Sequence, residues 1–110
     1  MIDWVRVAQL RDEIGAEDFD EVAALFLMEV EETLDQLDSA LGDVGRMEEL
    51  LHFLKGSALN LGFGEFSIVC ARGEADASRG TLSVYPSQLK DLYSQSRKMF
   101  EAEYPQRFAA

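Results

Sequence analysis

Apolar residues recur every three or four positions along almost the whole of this 110-residue chain. An α-helix needs that spacing to lay one stripe against a core. The segment 46–61 shows it most clearly, with Met47, Leu50, Leu51, Leu54, Ala58 and Leu61 on one face. Before it, Val22, Phe26, Val30, Leu34 (with Thr33), Leu37 and Leu41 draw a second stripe. Asp18, three residues ahead of Glu21, reads as an acidic capping box for that helix, and Gly42 and Gly45 break the chain after it. A shorter helix over residues 3–14 carries Trp4, Val5, Ala8 and Ile14 and stops at Gly15. Gly62 and Gly64 mark a turn, and a helix over residues 65–77 buries Phe66, Val69, Cys70, Gly73 and Ala77. After a Ser-Arg-Gly-Thr loop, Pro86 suits the first turn of a last helix. Leu89, Leu92, Tyr93, Met99 or Phe100, and Tyr104 stripe that helix, and Pro105 ends it. Nothing asks for a strand. The pattern predicts an all-α protein: an antiparallel up-down four-helix bundle with a short extra N-terminal helix, forming one domain over residues 1–110.

The balance of charge narrows the function. There are 21 acids against 10 bases, a formal charge of −11. Nucleic acid and anionic membrane surfaces would repel such a chain. One cysteine, Cys70, excludes an internal disulfide and a cysteine-rich zinc site and reads as a small buried hydrophobe. One histidine, His52, excludes a two-histidine metal site or mechanism, so no metal site is expected. No apolar run approaches the roughly 20 residues of a membrane span. The N-terminal MIDWVR lacks the basic and apolar regions of a signal peptide, so the cytoplasm is the expected compartment. The four stripes leave no fifth face uncovered, which suits a monomer.

The acidity is uneven. Residues 1–50 hold 15 acids and 3 bases, and residues 51–110 hold 6 acids and 7 bases. The second helix accordingly has a solvated acidic face, and the surroundings of His52 are expected to be nearly neutral. On the third helix the face opposite the core stripe carries Glu48, His52, Lys55, Gly56, Leu59 and Phe63. A glycine inside a helix costs about 1 kcal/mol relative to alanine. Gly56 therefore signals the close approach of a neighbouring helix or, since it faces outward with His52, of another molecule. Leu59 and Phe63 read either as a small apolar docking patch or as residues covered by the N-terminal helix.

If the third and fourth helices form a hairpin about Phe63, His52 and Glu74 lie level, each eleven positions from the turn. Glu74 then either reaches the imidazole or remains an ordinary surface glutamate paired with Arg72. A carboxylate accepting from Nδ1–H would fix the tautomer and leave Nε2 as a nucleophile.

The stretch from His52 to Phe63, HFLKGSALNLGF, resembles the signature of histidine-containing phosphotransfer (HPt) domains. His52, Lys55, Gly56, Ser57, Ala58 and Gly62 match its pattern, and the likeness continues ungapped through Glu65 to Glu74. Less specific likeness to stand-alone bacterial members extends over the N-terminal half. The resemblance implies a bundle that carries a phosphoryl group on His52, exchanged with aspartates of response-regulator receiver domains and ultimately supplied by a hybrid sensor histidine kinase. It implies that Lys55 offsets phosphate charge, that Gly56 makes room for the receiver, and that Gly56, Ser57, Leu59 and Phe63 form the docking face. The position of Glu74 often holds glutamine in the family. A carboxylate there can still orient the ring, but it would repel a nearby phosphate.

A free imidazole, with a pKa of about 6.5, is mostly neutral and nucleophilic near pH 7. Phosphoryl transfer asks a protein chiefly for positioning and charge stabilisation. No Gly-rich phosphate loop is present, so the expectation is a phosphocarrier without kinase activity of its own and without a cofactor, Mg²⁺ belonging to the receiver. The rival reading is a non-catalytic adaptor that binds a signalling partner through the acidic second helix. A hydrolase or metalloenzyme is remote, since no convergent carboxylate pair is evident.

Overall fold

The computed structural model describes residues 2–108, and every regular element among them is helical. The order is α1 (Trp4–Ile14), α2 (Ala16–Gln36), a 3₁₀ turn (Asp38–Ala40), α3 (Val44–Leu61), α4 (Gly64–Ser78) and α5 (Pro86–Arg107). Helices α2 to α5 form the bundle, and α1 packs against α2 and α3. The third stripe is buried as its spacing predicts: Met47, Leu50, Leu51, Leu54, Ala58 and Leu61 are all in the core.

Local chemistry moved several boundaries. The acidic capping box at Asp18 does not form. Helix α2 starts two residues earlier, at Ala16, directly after Gly15, whose φ of 102° turns the chain out of α1. Asp3 caps α1 and Asp43 caps α3, each accepting from the backbone N–H three residues on. Gly45 therefore sits inside α3 rather than ending α2. Pro105 lies within α5.

Two stripes are shifted in part: Val30, Thr33, Leu34 and Leu37 are buried as expected, and Trp4 and Ile14 pack on the core, but other positions differ. In α1 the inward residues are Val7 and Leu10, while Val5 is exposed. In α2 the core takes Phe19, Ala23, Leu27, Val30 and Leu34, which leaves Val22 and Phe26 at the edge and Leu41 exposed. Both helices carry apolar residues around more of their circumference than the core needs, so spacing alone leaves the face undetermined.

Part of the acidity of α2 and of the 3₁₀ turn after it is answered across the bundle. Arg97 of α5 contacts Glu31 at 2.8 Å, and Lys90 contacts Asp38 at 2.8 Å. The bases of the second half thus face some of the acids of the first.

The α3–α4 turn positions the site. Gly62 adopts φ 74°, and its N–H closes α3 onto Ala58 and Leu59. Its carbonyl accepts from Asp3 N–H at 2.6 Å, which seats α1 on the turn. Phe63 follows and is fully buried, its ring against Phe100 (5.8 Å between centroids) and Tyr93 (6.1 Å). Trp4 stacks on Phe100 at 5.8 Å, so α1 and α5 together close this end of the bundle. Eleven residues after Gly62, Gly73 allows α4 to approach the core closely, since a Cβ there would stand 2.7 Å from Val84 and 3.0 Å from Leu51.

A side chain at Gly62 would meet the Asp3 carbonyl at 2.6 Å and Val7 at 2.8 Å, in a left-handed conformation that suits glycine. Gly62→Ala is expected to lower stability by about 1–3 kcal/mol. Urea denaturation measures this, and unchanged stability would mean that the turn relaxes freely.

Candidate functional site

His52 lies in mid-helix on α3 with its side chain 70% exposed. It faces away from the leucine stripe, as the wheel requires. On α4, the step from Cys70 to Gly73 keeps the core face inward, and Glu74 emerges beside it at the α3–α4 seam. The hairpin brings the two level: His52 Nδ1 is 2.6 Å from Glu74 Oε2. The other carboxylate oxygen, Oε1, is 2.6 Å from Lys55 Nζ. Glu74 is the less exposed member of the set, at 18% against 30% for Lys55. It is bonded to both and not to Arg72.

This arrangement fixes the chemistry of the ring. An ionised carboxylate only accepts hydrogen bonds, so the nitrogen facing it must be the donor. Nδ1 carries the proton, and in the neutral ring the lone pair lies on Nε2. Glu74 is ionised: the Lys55 ammonium, above all, and then His52 hold its carboxyl below the usual carboxylate range against the opposing effect of burial. Cys70, directly beneath, is of another character. Burial and then the Glu74 charge push its thiol up to about 12, so it is an inert core residue.

Lys55 rests on the carboxylate. The phosphate-facing role expected of it requires a change of partner. The electrostatic surroundings also differ from the near-neutral expectation. The grooves flanking His52 are lined by Glu29 of α2, by Glu48 and Glu49 of α3 and by Glu74; Arg46 reaches Glu49 at 3.5 Å, and Lys55 holds Glu74. Half-chain charge totals misled here because α3 places its own acids next to the histidine.

The structure sorts the expected docking residues. A Cβ on Gly56 would meet nothing within 4 Å, so no neighbouring helix explains this glycine. Leu59 is 54% exposed on the same side of α3. Ser57 is buried and forms part of the floor of a groove of about 340 Å³ that also contains Gly56 and His52. Phe63 does not belong to this surface. It sits behind the αL turn in the aromatic core, against Tyr93 and Phe100 of α5 and bridged to Ile2 just ahead of α1, close to the covered alternative left open by its spacing. In its place the groove has Phe26 of α2 and Phe53 and Asn60 of α3. Phe53 is 41% exposed; its position outside the leucine stripe is the signal in the sequence that could have found it. Asn60 is held by Arg6 of α1 at 2.9 Å.

Among the described residues no cluster of His, Cys, Asp and Glu is arranged to hold a metal ion. No described helix is long and apolar enough to cross a membrane.

The carboxyl of Glu74 is lowered in the folded state, so it stabilises the fold above the usual carboxylate range, and that contribution is lost as pH falls through its folded value. Glu74→Gln is therefore expected to cost about 0.5 kcal/mol at pH 7, as befits a partly exposed pair. The difference should vanish in acid, below the folded value, where both side chains are neutral. Denaturation at the two pH values checks this, and an equal cost at both would assign the loss to packing.

Comparison with known proteins agrees with this geometry. The family model of the Hpt domain matches residues 21–102, from the second turn of α2 to near the end of α5. No curated protein and no solved structure matches the chain. The match spans most of the chain and includes His52, Lys55, Gly56 and Glu74. The chain belongs to the Hpt domain family, the phosphocarrier modules of histidine phosphotransfer in two-component signalling.

Proposed function

We propose that this protein relays a phosphoryl group between His52 and the aspartate of a response-regulator receiver domain, as an intermediate with no ATP-dependent kinase activity of its own. One observation carries the reading: Nδ1 of an exposed histidine is occupied by a carboxylate at 2.6 Å, which leaves Nε2 free toward solvent. In the transfer, the Nε2 lone pair forms the N–P bond while the P–O bond to the receiver aspartate breaks. The released electron pair returns to that carboxylate, and the proton stays on Nδ1. Protein-side catalysis is then positioning and charge compensation, supplied here by Glu74 and Lys55 and by the receiver's own Mg²⁺.

The surface around His52 suits such a partner. Gly56 offers a gap with no competing side chain, while Phe26, Phe53 and Leu59 add apolar area beside it. A receiver supplied by a hybrid sensor histidine kinase is the natural donor, and the cytoplasm is the compartment where the two would meet. The reading requires no cofactor, nucleic acid or membrane, and a monomer suffices for it.

Incubation with a phosphorylated receiver and Mg²⁺ is expected to label the native chain and not His52→Gln; equal labelling of the two would end this reading. Lys55→Ala should slow transfer or shorten the lifetime of the phosphohistidine, and no change in either would remove Lys55 from the site. The glycine makes a two-signed prediction. Gly56→Ala is expected to raise stability by about 1 kcal/mol, since it restores helix propensity in open space. Gly56→Arg should leave the bundle folded and block transfer. Transfer at the native rate through Gly56→Arg would show that the glycine does not serve docking.

A further inference from the structure

We propose that Glu74 is the resting counter-ion of Lys55, and that on phosphorylation the ammonium passes from Glu74 to the phosphoryl oxygens while the imidazole ring takes its place on the carboxylate. The inference rests on the phosphotransfer reading above and concerns what the site does once loaded.

The argument starts from the charges before and after transfer. At rest, Nδ1 of the ring faces Oε2, and Lys55 holds Oε1, both at 2.6 Å; transfer begins from the neutral ring, with Nδ1–H donating to Oε2. The carboxylate and ammonium balance each other. When Nε2 bonds to phosphorus and Nδ1 keeps its proton, the ring becomes cationic. Glu74 then faces a positive ring through a hydrogen bond already in place. It no longer needs Lys55 to be neutralised.

The phosphoryl group needs the lysine more. It brings two negative charges to a site whose grooves are walled by Glu29, Glu48, Glu49 and Glu74. At equal distance a dianion attracts an ammonium about twice as strongly as a single carboxylate does. Lys55 is one helical turn from His52 on α3, and its ammonium already lies on the carboxylate that holds the ring. The side chain is 30% exposed, and among the described residues Glu74 is the one acid that pairs with it. The exchange pairs each side chain at both stages: the carboxylate passes from an ammonium to an imidazolium, and the ammonium passes from a carboxylate to the phosphoryl group, where it offsets one of the two negative charges. This also removes the objection to a carboxylate at position 74. Its charge is matched by the ring in the state where phosphate is near.

Phosphoramidate tests this without any receiver, because it transfers its phosphoryl group to imidazole with loss of ammonia. Native protein and the Lys55→Ala, Glu74→Gln and doubly substituted variants would be loaded with it. The Lys55 ¹⁵Nζ resonance and the phosphohistidine lifetime would then be measured. The Nζ resonance is expected to move on loading of the native protein and to show coupling to ³¹P. Lys55→Ala is expected to shorten the lifetime about threefold, the scale of an exposed ion pair, in both the native and the Glu74→Gln backgrounds. If the ammonium stays on Glu74, Nζ will not move on loading, and Lys55→Ala will matter only once Glu74 is substituted. Either result overturns the exchange. Loading of His52 with an unmoved Lys55 would leave the phosphocarrier reading intact. Loading that ignores His52 would defeat that reading itself.

Discussion

The close pairing of α3 with α4 governs everything this protein presents to solvent near His52. Two glycines permit it by different means. Gly62 reverses the chain in a left-handed conformation against the Asp3 carbonyl, and Gly73 lets α4 settle onto Leu51 and Val84. With the hairpin fixed at both points, residues equidistant from the turn are level, and Glu74 meets His52 without help from any loop. The site is therefore built on two helices whose inner faces are locked in the core, which is how a side-chain geometry is held to a few tenths of an ångström.

That geometry assigns different tasks to the two ring nitrogens. One is held by a carboxylate and cannot act as a base; the other is exposed and carries the lone pair. The same carboxylate also holds the nearest ammonium, so a single glutamate organises both the nucleophile and the charge that compensates its product. Membership of the Hpt family and the exposed histidine held at Nδ1 by a carboxylate point to the same chemistry.

Much of this was legible in the residues. The helix order, the α3 stripe, the outward histidine and the level position of Glu74 followed from period and hairpin symmetry, and the contact of Glu74 with the ring was one of two readings left open. What failed did so for identifiable reasons. Phe63 has the spacing of an exposed residue on α3, but α3 ends at Leu61, and beyond a left-handed turn the helical wheel no longer says where a side chain points. The later α2 stripe, Val30, Thr33, Leu34 and Leu37, is buried as expected, but Val5, Val22 and Leu41 were misplaced because apolar residues on α1 and α2 occupy two faces, and only contact with α5 and α3 selects one. The local acidity around His52 was hidden because totals over half a chain do not report which face carries the charge. The attachment of Lys55 to Glu74 was out of reach for another reason, since it depends on where a flexible four-carbon side chain comes to rest.

The account stands or falls on which atom carries the phosphoryl group. Two-dimensional ¹⁵N–³¹P NMR of the protein after exposure to a phosphorylated receiver reads this directly. The account predicts one phosphoramidate linkage, at Nε2 of His52, with Nδ1 still protonated and turned toward Glu74. A phosphoryl group on Nδ1, or on any residue other than His52, would contradict it.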